Sequence, residues 1–464
     1  MNRLVVEEHV WARLRGHLLA DSFEHLAFLL ARPAGERLLV RDLILIQDDA
    51  LEDADEPYGL SLSLSALLSV MNAAVRSSLV LVEAHSHPQS DDRVTFSSID
   101  QRGQHEMVEY LADVMPDRPY AALVLGQEAV GGQVWSPGAR TPAPMNVVVL
   151  GDSVASRATS RSGTSRLAVS EERFDRQVLA IGRGGQDALR QTNVAVVGLG
   201  GIGSFLVEEL ARLGVGKLTL IDDDLIERTN LHRVVGSTAA SVGRSKVSIA
   251  AEMAVASNPD IRTIPVLANV REAEAIDALR AADVVIGAVD TDAGRLILNE
   301  FCVAYMTPYV DCGVGIEVKD GRIIEAGGRI VTWVPGRPCL HCCREINLSI
   351  AAQELETEEQ RAFRRQHGYV AGAVVPEPAV ISLNGTVASM AVTEVLALCA
   401  GLRPTIHYSY YDLLAQRAGP RLIQSDPKCV VCANLGKGDQ AGLQRYSRDS
   451  GNMDTRTDLG SRSA

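Results

Sequence analysis

Aromatic side chains and positive charge are both scarce in this sequence. Phe, Trp and Tyr together make up 4% of the 464 residues, and the formal net charge at pH 7 is −13. Proteins that bind single-stranded nucleic acid stack bases on aromatic rings, and proteins that bind duplexes need a concentrated basic surface. The composition therefore argues against nucleic acid as a partner.

Membrane and export signals are also missing. No uninterrupted apolar run reaches the roughly 18 residues that a transmembrane helix needs. The first residues, MNRLVVEEHVWARLRGHLL, mix acidic and basic side chains, unlike a secretory signal. A hydrophobic content of 46% with 22% charged residues is typical of a soluble globular protein. We therefore expect a cytoplasmic protein that does not bind a membrane.

Cysteine is too rare for a disulfide scaffold. Four of the eight cysteines form two C-x-x-C pairs, Cys339 with Cys342 and Cys429 with Cys432. In a reducing compartment this pattern favours a metal over disulfides. Four thiolates on two turns that meet in space hold Zn²⁺ tetrahedrally, so we interpret the pairs as a structural zinc site. Four buried or free thiols are the alternative interpretation.

Two stretches poor in apolar residues divide the chain. Residues 151–168 are rich in Ser, Thr and Arg, which indicates a flexible linker. Residues 436–464 have too little apolar content to fold, which indicates a disordered tail. The predicted organisation is an N-terminal domain over residues 1–150 and a C-terminal domain over residues 169–435.

Both domains have mixed α/β character. In the N-terminal domain, residues 37–46 and 78–87 are predicted strands, and residues 65–77 are a predicted helix. The C-terminal domain contains a strand, a glycine turn, a helix and a second strand over residues 193–224, which is a βαβ unit. Such units build a mostly parallel, Rossmann-like sheet. Residues 282–290 predict a further buried strand with an acidic residue at its C-terminal end, where ligands of such sheets bind.

The glycine turn of the βαβ unit predicts a nucleotide site. Its motif G-L-G-G-I-G is formed by Gly198, Gly200, Gly201 and Gly203. Glycines there let the backbone approach a phosphate, and the following helix N-terminus supplies positive potential. Asp222, at the end of the second strand, is placed to bind ribose hydroxyls. A dinucleotide-dependent oxidoreductase fits these features equally well.

The residues after Asp222 favour a nucleoside triphosphate instead. Polar and charged side chains follow closely, namely Asp224, Asn230, Arg233 and Lys246. Cations gathered here offset the charge that builds on an α-phosphate and a leaving pyrophosphate. Asp290 ends the strand over 282–290 and is a candidate Mg²⁺ ligand. Upstream, Arg176 lies on a predicted N-terminal arm.

In this order the motifs resemble the ThiF/MoeB/HesA family, the prokaryotic relatives of ubiquitin-activating enzymes. The resemblance rests on F-D-R-Q, G-x-G-G-I-G, D-x-D-x-I-x-x-x-N-L-x-R, G-x-S-K, N-P and the segment from Asp290 to Arg295, and it covers roughly residues 170–435. It implies that Asp222 binds ribose, that Asn230, Arg233 and Lys246 contact the ATP phosphates, and that Asp290 positions Mg²⁺. It also implies that Arg176 reaches an ATP site, often across a homodimer.

The same family includes members with a peripheral four-cysteine zinc, which the two C-x-x-C pairs resemble. Members that form a thioester or persulfide usually carry a cysteine before a late helical segment. The matching stretch here, residues 364–385, contains none, and Cys343 is the nearest candidate. The apolar surroundings of Cys302, Cys312 and Cys399 indicate core positions. The resemblance therefore implies adenylation without implying a thioester.

A second motif lies in the N-terminal domain. His85 and His87 end a predicted strand, and Asp100 follows a polar loop, so that two imidazoles and a carboxylate can complete a three-ligand zinc site. Such a site needs a carboxylate that moves a proton, and Glu24 is our candidate. The order Glu, H-x-H-P, S-x-x-D resembles the JAB/JAMM (MPN) metallopeptidases, which cleave after ubiquitin-like C-termini. That resemblance implies an oxyanion-binding role for Ser97, and its longer loop before Asp100 departs from the family.

These features predict an ATP- and Mg²⁺-dependent enzyme that adenylates the C-terminal glycine of a ubiquitin-like modifier. The N-terminal zinc site would trim or deconjugate that modifier, with the linker raising the effective concentration of one site for the other's product. A separate conjugating enzyme is a further expected partner. A sulfur carrier for cofactor or cysteine synthesis is the first alternative to a modifier. The second alternative is an N-terminal domain that binds a partner without cleaving it.

Overall fold

The structure, a computed structural model, describes residues 2–52, 60–157, 171–357, 359–360, 362–363 and 378–447. These residues form two β-sheets, one of nine strands and one of eight, each with its own helices. We call the described residues up to 157 the N-terminal unit and those from 171 onward the C-terminal unit. The mixed α/β class predicted for both parts agrees with this architecture.

The N-terminal unit is a nine-stranded mixed sheet with the order β7-β6-β5-β4-β2-β3-β1-β8-β9. The strands are β1 (Arg3–Glu7), β2 (Leu26–Ala34), β3 (Arg37–Leu45), β4 (Val80–Ser86), β5 (Tyr120–Leu125), β6 (Val130–Trp135), β7 (Ala143–Pro144), β8 (Asn146–Leu150) and β9 (Val154–Arg157). The helices are α1 (Glu8–Leu18), α2 (Leu64–Ser77) and α3 (Ser98–Val114). The two strands and the helix predicted here from the sequence are confirmed as β3, β4 and α2.

Alternation along the strands explains how helices cover both faces of this sheet. Leu29 and Ala31 of β2 pack in one core cluster with Trp11 of α1. Phe28 and Leu30 of the same strand belong to a second cluster that includes residues of α2 and α3. Because successive side chains of a strand point to opposite faces and both faces are covered, β2 is apolar from Leu26 to Ala31 and lies in the middle of the unit.

The C-terminal unit is built on an eight-stranded sheet with the order β12-β11-β10-β13-β14-β15-β16-β17. The strands are β10 (Asn193–Val197), β11 (Lys217–Ile221), β12 (Arg262–Val266), β13 (Val284–Gly287), β14 (Tyr309–Lys319), β15 (Arg322–Trp333), β16 (Tyr408–Asp412) and β17 (Arg417–Pro420). The helices are α4 (Asp175–Gln191), α5 (Gly201–Arg212), α6 (Lys246–Ser257), α7 (Ala273–Arg280), α8 (Asp292–Ala304), α9 (Leu348–Glu354) and α10 (Ile381–Ala400). Strands β10 to β14 pair in parallel and β14 to β17 in antiparallel fashion, so the predicted mostly parallel sheet is confirmed in its first half.

Helix α10 corrects the expectation that no segment is long and apolar enough to cross a membrane. By length and composition it passes that test, and 56% of its most apolar window is buried inside the unit. Leu383, Val387 and Ala391 share one core cluster with Leu206 of α5. Serine, threonine and asparagine interrupt its sequence, which is why a search for an unbroken apolar run missed it.

The two units share a buried interface. Val5 and Leu39 of the N-terminal sheet belong to the same core cluster as Val285 of β13. The buried Arg37 guanidinium donates to Thr307 Oγ1 at 2.8 Å and to the Ala282 carbonyl oxygen. Arg3 pairs with Asp283 at the same edge. The N-terminal unit therefore packs against the edge of the C-terminal sheet at which β13 and β14 begin.

Two boundaries differ from the sequence interpretation. Val154–Arg157, inside the predicted linker, form the sheet strand β9, and residues 158–168 of that linker lie outside the described residues. The predicted disordered tail is ordered as far as Ser447, with single helical turns at Gly438–Ala441 and Leu443–Tyr446. Leu443 is buried, and Tyr305 and Arg280 both bind Asp439. The average apolar content of residues 436–464 is low, so composition alone did not indicate these contacts. Residues 448–464 lie outside the described residues.

Candidate functional site

The glycine turn between β10 and α5 has a backbone that excludes side chains. Gly198 has φ +87°, and a Cβ there would lie 2.5 Å from the Ala288 carbonyl oxygen. A Cβ on Gly203 would lie 1.9 Å from the Gly198 carbonyl oxygen. Around a Cβ on Gly200, by contrast, no atom lies within 4 Å. The backbone thus leaves no room for a side chain at Gly198 and Gly203, whereas the space beside Gly200, at the N-terminus of α5, is open. A phosphate site requires such an open space beside a helix N-terminus.

Asp222 lies beside this turn at the end of β11. Its Oδ2 accepts a hydrogen bond from the Leu199 amide at 2.6 Å, and its Oδ1 accepts one from the Asp224 amide at 2.8 Å. Burial raises the pKa of Asp222, and the nearby Lys246 opposes that rise. Lys246 Nζ lies 2.7 Å from Asp224 Oδ2 and 3.9 Å from Asp222 Oδ1. The predicted ribose-binding acid and the predicted phosphate-binding cation are therefore neighbours at one edge of the sheet.

Two more predicted residues line the same edge. Arg233 donates to the Thr229 carbonyl oxygen at 2.8 Å, and its Cδ would lie 3.4 Å from a Cβ on Gly201. This position brings its guanidinium stem to the first turn of α5. Asn230 is buried, and its Oδ1 accepts a hydrogen bond from the Glu227 amide at 3.1 Å. Asn230 therefore fixes the loop that carries Arg233.

Asp290 and Arg295 flank the start of α8. Asp290 is exposed just beyond the C-terminal end of β13. Arg295, one turn into α8, has a buried Nε for which the described part of the chain provides no hydrogen-bond partner. Such a buried unpaired donor is costly unless a ligand satisfies it. Sequence analysis missed Glu354 of α9, whose Oε2 accepts a hydrogen bond from the Ala293 amide at 2.7 Å and whose pKa is raised by burial.

Arg176 lies apart from this cluster in its own chain. It is exposed in the first turn of α4. The adjacent Gln177 donates to the Leu213 carbonyl oxygen at 2.8 Å, at the C-terminal end of α5. At 1.5 Å per residue, the length of α5 puts Arg176 roughly 18 Å from the glycine turn. We call the sheet edge formed by the glycine turn, Asp222, Arg233, Lys246 and Asp290 the nucleotide edge. The structure therefore does not bring Arg176 to the nucleotide edge of its own chain.

The four predicted zinc ligands converge. Sγ–Sγ separations are 3.9 Å for Cys339–Cys342, 3.7 Å for Cys339–Cys429 and 3.7 Å for Cys342–Cys432. A tetrahedron with Zn–S bonds of about 2.3 Å has edges of about 3.8 Å, so the four sulfur atoms fit Zn²⁺. Asn299 of α8 supports the cluster, because its amide lies 3.6 Å from Cys339 Sγ and its Oδ1 accepts from the Leu340 amide at 3.0 Å.

The remaining cysteines are poor candidates for a nucleophile. Burial raises the pKa of Cys343 to about 12, and its Sγ lies 3.5 Å from His407 Nε2. Cys302 and Cys312 are buried, as the sequence predicts, and Cys399 is partly exposed. Residues 364–377, part of the stretch in which the family resemblance led us to look for a cysteine, lie outside the described residues. Among the described cysteines, none combines exposure with a lowered pKa outside the four-cysteine cluster.

The predicted N-terminal metal residues also converge. His85 pairs with Leu26 across β4 and β2, which brings the preceding Glu24 to the end of β4. Asp100 Oδ2 lies 3.4 Å from His85 Nε2 and 3.3 Å from His87 Nε2, and Glu24 Oε1 lies 3.7 Å from His87 Nε2. Ser97 caps α3, with its Oγ accepting from the Asp100 amide at 3.2 Å. The three metal-type side chains thus surround one point, with Glu24 at its rim.

The chemistry of these donors fits a divalent cation. One ligand atom each from His85, His87 and Asp100 lies within 4.8 Å of the others. His85 is 1% exposed, and its Nε2 is a buried atom without a hydrogen-bond partner in the described structure. Burial tends to raise the pKa of Asp100, but the adjacent His85 and His87 imidazoles outweigh it and hold that pKa well below its usual range. A hydrogen bond with Asp100 raises the pKa of His87, and burial raises the pKa of Glu24.

Comparison with known proteins decides the family of the C-terminal unit. A model of the ThiF family matches residues 174–431. This chain belongs to the ThiF family. The match contains the glycine turn, the residues around Asp222, the first cysteine pair and Cys429, and it ends one residue before Cys432. It begins after the described N-terminal unit. From here we call residues 174–431 the ThiF unit.

Three relatives illustrate the range of the family. The chain is 30% identical over 269 residues to the SAMP-activating enzyme E1 of Haloferax volcanii, covering 57% of this chain and 90% of the relative. It is 30% identical over 264 residues to the molybdopterin-synthase adenylyltransferase of Escherichia coli, covering 56% and 95%. It is 27% identical over 328 residues to the adenylyltransferase and sulfurtransferase MOCS3-1 of Zea mays, covering 67% and 64%. Two of these relatives are named as adenylyltransferases and one as an activating enzyme.

Two residues of the N-terminal site escaped the sequence analysis. Glu83 Oε1 lies 3.8 Å from His85 Nδ1, and Tyr120 donates a hydrogen bond of 2.6 Å to Glu83 Oε2. The signal for Glu83 was present, because residues two apart on a strand share a face and Glu83 is two residues before His85. Tyr120 had no such signal, since only the pairing of β4 with β5 brings it close.

Proposed function

We propose that the ThiF unit uses ATP to adenylate the C-terminal glycine of a small ubiquitin-like protein that serves as a sulfur carrier. The observation that carries the proposal is the single edge formed by the open glycine turn, Asp222, Lys246 and Arg233. Two relatives, named for molybdopterin synthase and for sulfurtransferase activity, support a sulfur carrier over a protein modifier.

In the proposed reaction, an oxygen of the carrier's terminal carboxylate attacks the α-phosphorus of ATP. The bond from that phosphorus to the bridging oxygen breaks, and pyrophosphate leaves with its electron pair. Asp222 would hold the ribose, while Lys246, Arg233 and Asn230 would orient the phosphates and offset their charge. Asp290 would hold Mg²⁺, which neutralises part of the triphosphate charge. Arg295, with its unpaired buried Nε, would complete the polar lining.

Carrier-dependent release of pyrophosphate tests this proposal. The protein is mixed with Mg²⁺, ATP and a carrier that ends in two glycines, and the same carrier truncated by those glycines is the control. We expect pyrophosphate only with the intact carrier, and none from an Asp290→Ala variant. Added sulfide should then displace AMP from the carrier carbonyl and leave a thiocarboxylate. Pyrophosphate release that ignores the carrier's terminus would contradict the proposal.

The name of the haloarchaeal relative, an E1, supports a second candidate, activation of a ubiquitin-like modifier for conjugation to proteins. The adenylation step is identical, and a separate conjugating enzyme would take the modifier onward. The two candidates separate in a lysate of the native host, because conjugates of the carrier to other proteins form only in the second. A carrier recovered solely as thiocarboxylate would exclude it.

For the N-terminal unit we propose a JAB/JAMM-type zinc metallopeptidase that trims or releases the carrier. His85, His87 and Asp100 would bind Zn²⁺, which supplies Lewis acidity at this position. Glu24, with its raised pKa, would take a proton from the attacking water and pass it to the leaving amine. The alternative is a unit that binds a partner without cleaving it. Extended carriers should lose residues beyond the diglycine in the presence of wild-type protein and persist with Glu24→Gln, whereas cleavage by that variant would contradict the assignment.

We also propose that the protein acts as a homodimer in which Arg176 serves the nucleotide edge of the other chain. Its distance from its own glycine turn supports this assignment. Arg176→Ala and Asp290→Ala chains would each be inactive, and mixing them should restore part of the activity because one complete site forms per mixed dimer. No recovery from mixed chains that do form dimers would contradict a shared site.

A further inference from the structure

His85 has two ring nitrogens in different surroundings. Its Nε2 faces Asp100 at 3.4 Å and is the atom directed at the candidate metal position. Its Nδ1 faces the other way, toward Glu83 Oε1 at 3.8 Å. Because a neutral imidazole carries one proton, the group facing Nδ1 decides which nitrogen keeps a lone pair for a metal.

Glu83 is itself held in one orientation. Its Oε2 accepts the 2.6 Å hydrogen bond from Tyr120, which leaves Oε1 on the side of His85. Tyr120 is fully inside the fold, and its ring packs against Trp135 with centroids 5.4 Å apart. The contacts therefore link the packed rings of Tyr120 and Trp135, through the Glu83 carboxylate, to the His85 imidazole.

The surroundings of Glu83 give it no other evident role. Its cross-strand neighbours are Phe28 on β2 and Ala122 on β5, both buried and apolar. A carboxylate costs free energy among such neighbours unless it has polar partners. Tyr120 and His85 are the partners that the described structure gives it.

We infer that Glu83, oriented by Tyr120, is a positioning residue for the N-terminal metal site. Its Oε1, 3.8 Å from Nδ1, is the acceptor that we assign to the Nδ1 proton of His85, so that the Nε2 lone pair is aimed at a divalent cation of the zinc type. Carboxylates in this position fix the tautomer and ring orientation of metal-binding histidines. The inference rests on the proposed metal site and adds two residues that act through His85.

Zinc affinity of the full chain tests the inference. Wild-type protein should bind two zinc ions, one at the four cysteines and one at the N-terminal site, and competition with a zinc chelator resolves the two. Loss of an outer partner of a ligand usually weakens metal affinity by about 10- to 100-fold. We expect that loss for Glu83→Gln and for Tyr120→Phe at the N-terminal site only, with the four-cysteine zinc on the same molecule reporting an intact fold.

A double variant separates positioning from a general effect on folding. If Tyr120 acts through Glu83, Glu83→Gln with Tyr120→Phe should weaken zinc no further than Glu83→Gln alone. Glu109→Gln, which changes an exposed carboxylate paired with His105 on α3, is the matched control and should leave zinc affinity unchanged.

The outcomes are distinguishable. Two zinc ions in wild type with unchanged N-terminal affinity in both single variants would overturn the inference and leave the metal site standing. A wild type that binds only the four-cysteine zinc would overturn the proposed site itself, and the inference with it. Additive losses in the double variant would overturn the role of Tyr120.

Discussion

At the scale of single residues, the nucleotide edge depends on how the Lys246 ammonium group is held between two carboxylates. Lys246 begins α6, and its backbone amide donates to the Asp224 carbonyl oxygen at 3.0 Å while its Nζ meets the Asp224 side chain. This double attachment fixes the stem of Lys246 and leaves the ammonium group between Asp224 and Asp222. On binding, the phosphate oxygens of a triphosphate would take over part of the contact that these two carboxylates make with the ammonium group.

Removing this cation should reduce adenylation without unfolding the protein. We predict that Lys246→Met lowers the rate of ATP–pyrophosphate exchange by roughly 100-fold or more, the usual loss when one charge-stabilising donor is removed. Lys246→Arg keeps the charge with a different shape and should retain more activity. Exchange of labelled pyrophosphate into ATP measures both variants, and wild-type exchange in Lys246→Met would contradict the role given to this residue.

At the scale of secondary-structure elements, α8 connects the nucleotide edge with the four cysteines. Its first turn holds Ala293, whose amide donates to Glu354 of α9. Its eighth residue is Asn299, which contacts Cys339 and Leu340. The Asn347 amide, just before α9, also donates to Asp292 at 2.9 Å. The cysteine cluster and α9 thus brace the helix that follows Asp290.

Loss of a zinc ligand should therefore destabilise the ThiF unit. We predict that Cys339→Ser releases the four-cysteine zinc and lowers the free energy of unfolding by more than about 4 kcal/mol, because metal loss is among the largest single-site effects. Cys343→Ser, an adjacent cysteine outside the cluster, is the matched control and should keep the zinc. Elemental analysis and urea unfolding give both values, and a Cys339→Ser chain that keeps as many zinc ions as the wild type would contradict a four-thiolate site.

The same elements illustrate what could be predicted from the sequence. The βαβ unit was predictable because strand, glycine turn and helix are adjacent and the apolar spacing changes within about 30 residues. The convergence of His85, His87 and Asp100 was predictable from one motif. Glu354, Asn299 and Tyr120 were not, because each reaches its site through packing between elements far apart in the chain. The strand β9 was missed because it is a short edge strand, V-A-S-R, in which apolar and polar residues do not alternate.

At the scale of the whole molecule, the interface between the two units and the nucleotide edge lie at opposite ends of the parallel strands of the C-terminal sheet. Asp283 and Thr307, which meet Arg3 and Arg37, precede β13 and β14, whereas Asp290 follows the opposite end of β13. The nucleotide edge therefore faces away from the N-terminal unit. The two units pack directly against each other, and residues 158–168 of the predicted linker lie outside the described residues.

We expect the stability of the interface between the two units to depend on Arg37. Burial lowers its pKa to about 10, yet it stays charged at neutral pH and satisfies Thr307 and two backbone carbonyl groups. We predict that Arg37→Met costs roughly 3 to 5 kcal/mol, since it leaves those acceptors unpaired across the interface. Arg102→Met, on the exposed surface of α3, is the control. Thermal unfolding should change from one transition to two in Arg37→Met, and a single unchanged transition would contradict a shared interface.

Intact-mass spectrometry of a diglycine-ended carrier, after incubation with the protein, Mg²⁺ and ATP, tests directly whether the ThiF unit adenylates its carrier. We expect a carrier heavier by one adenylyl group, formed by wild-type protein and absent with Asp290→Ala. We expect no carrier bound covalently to this chain through Cys343, whose pKa is raised by burial. A carrier that keeps its mass, with no pyrophosphate formed by a protein that binds ATP, would contradict adenylation as the function of the ThiF unit.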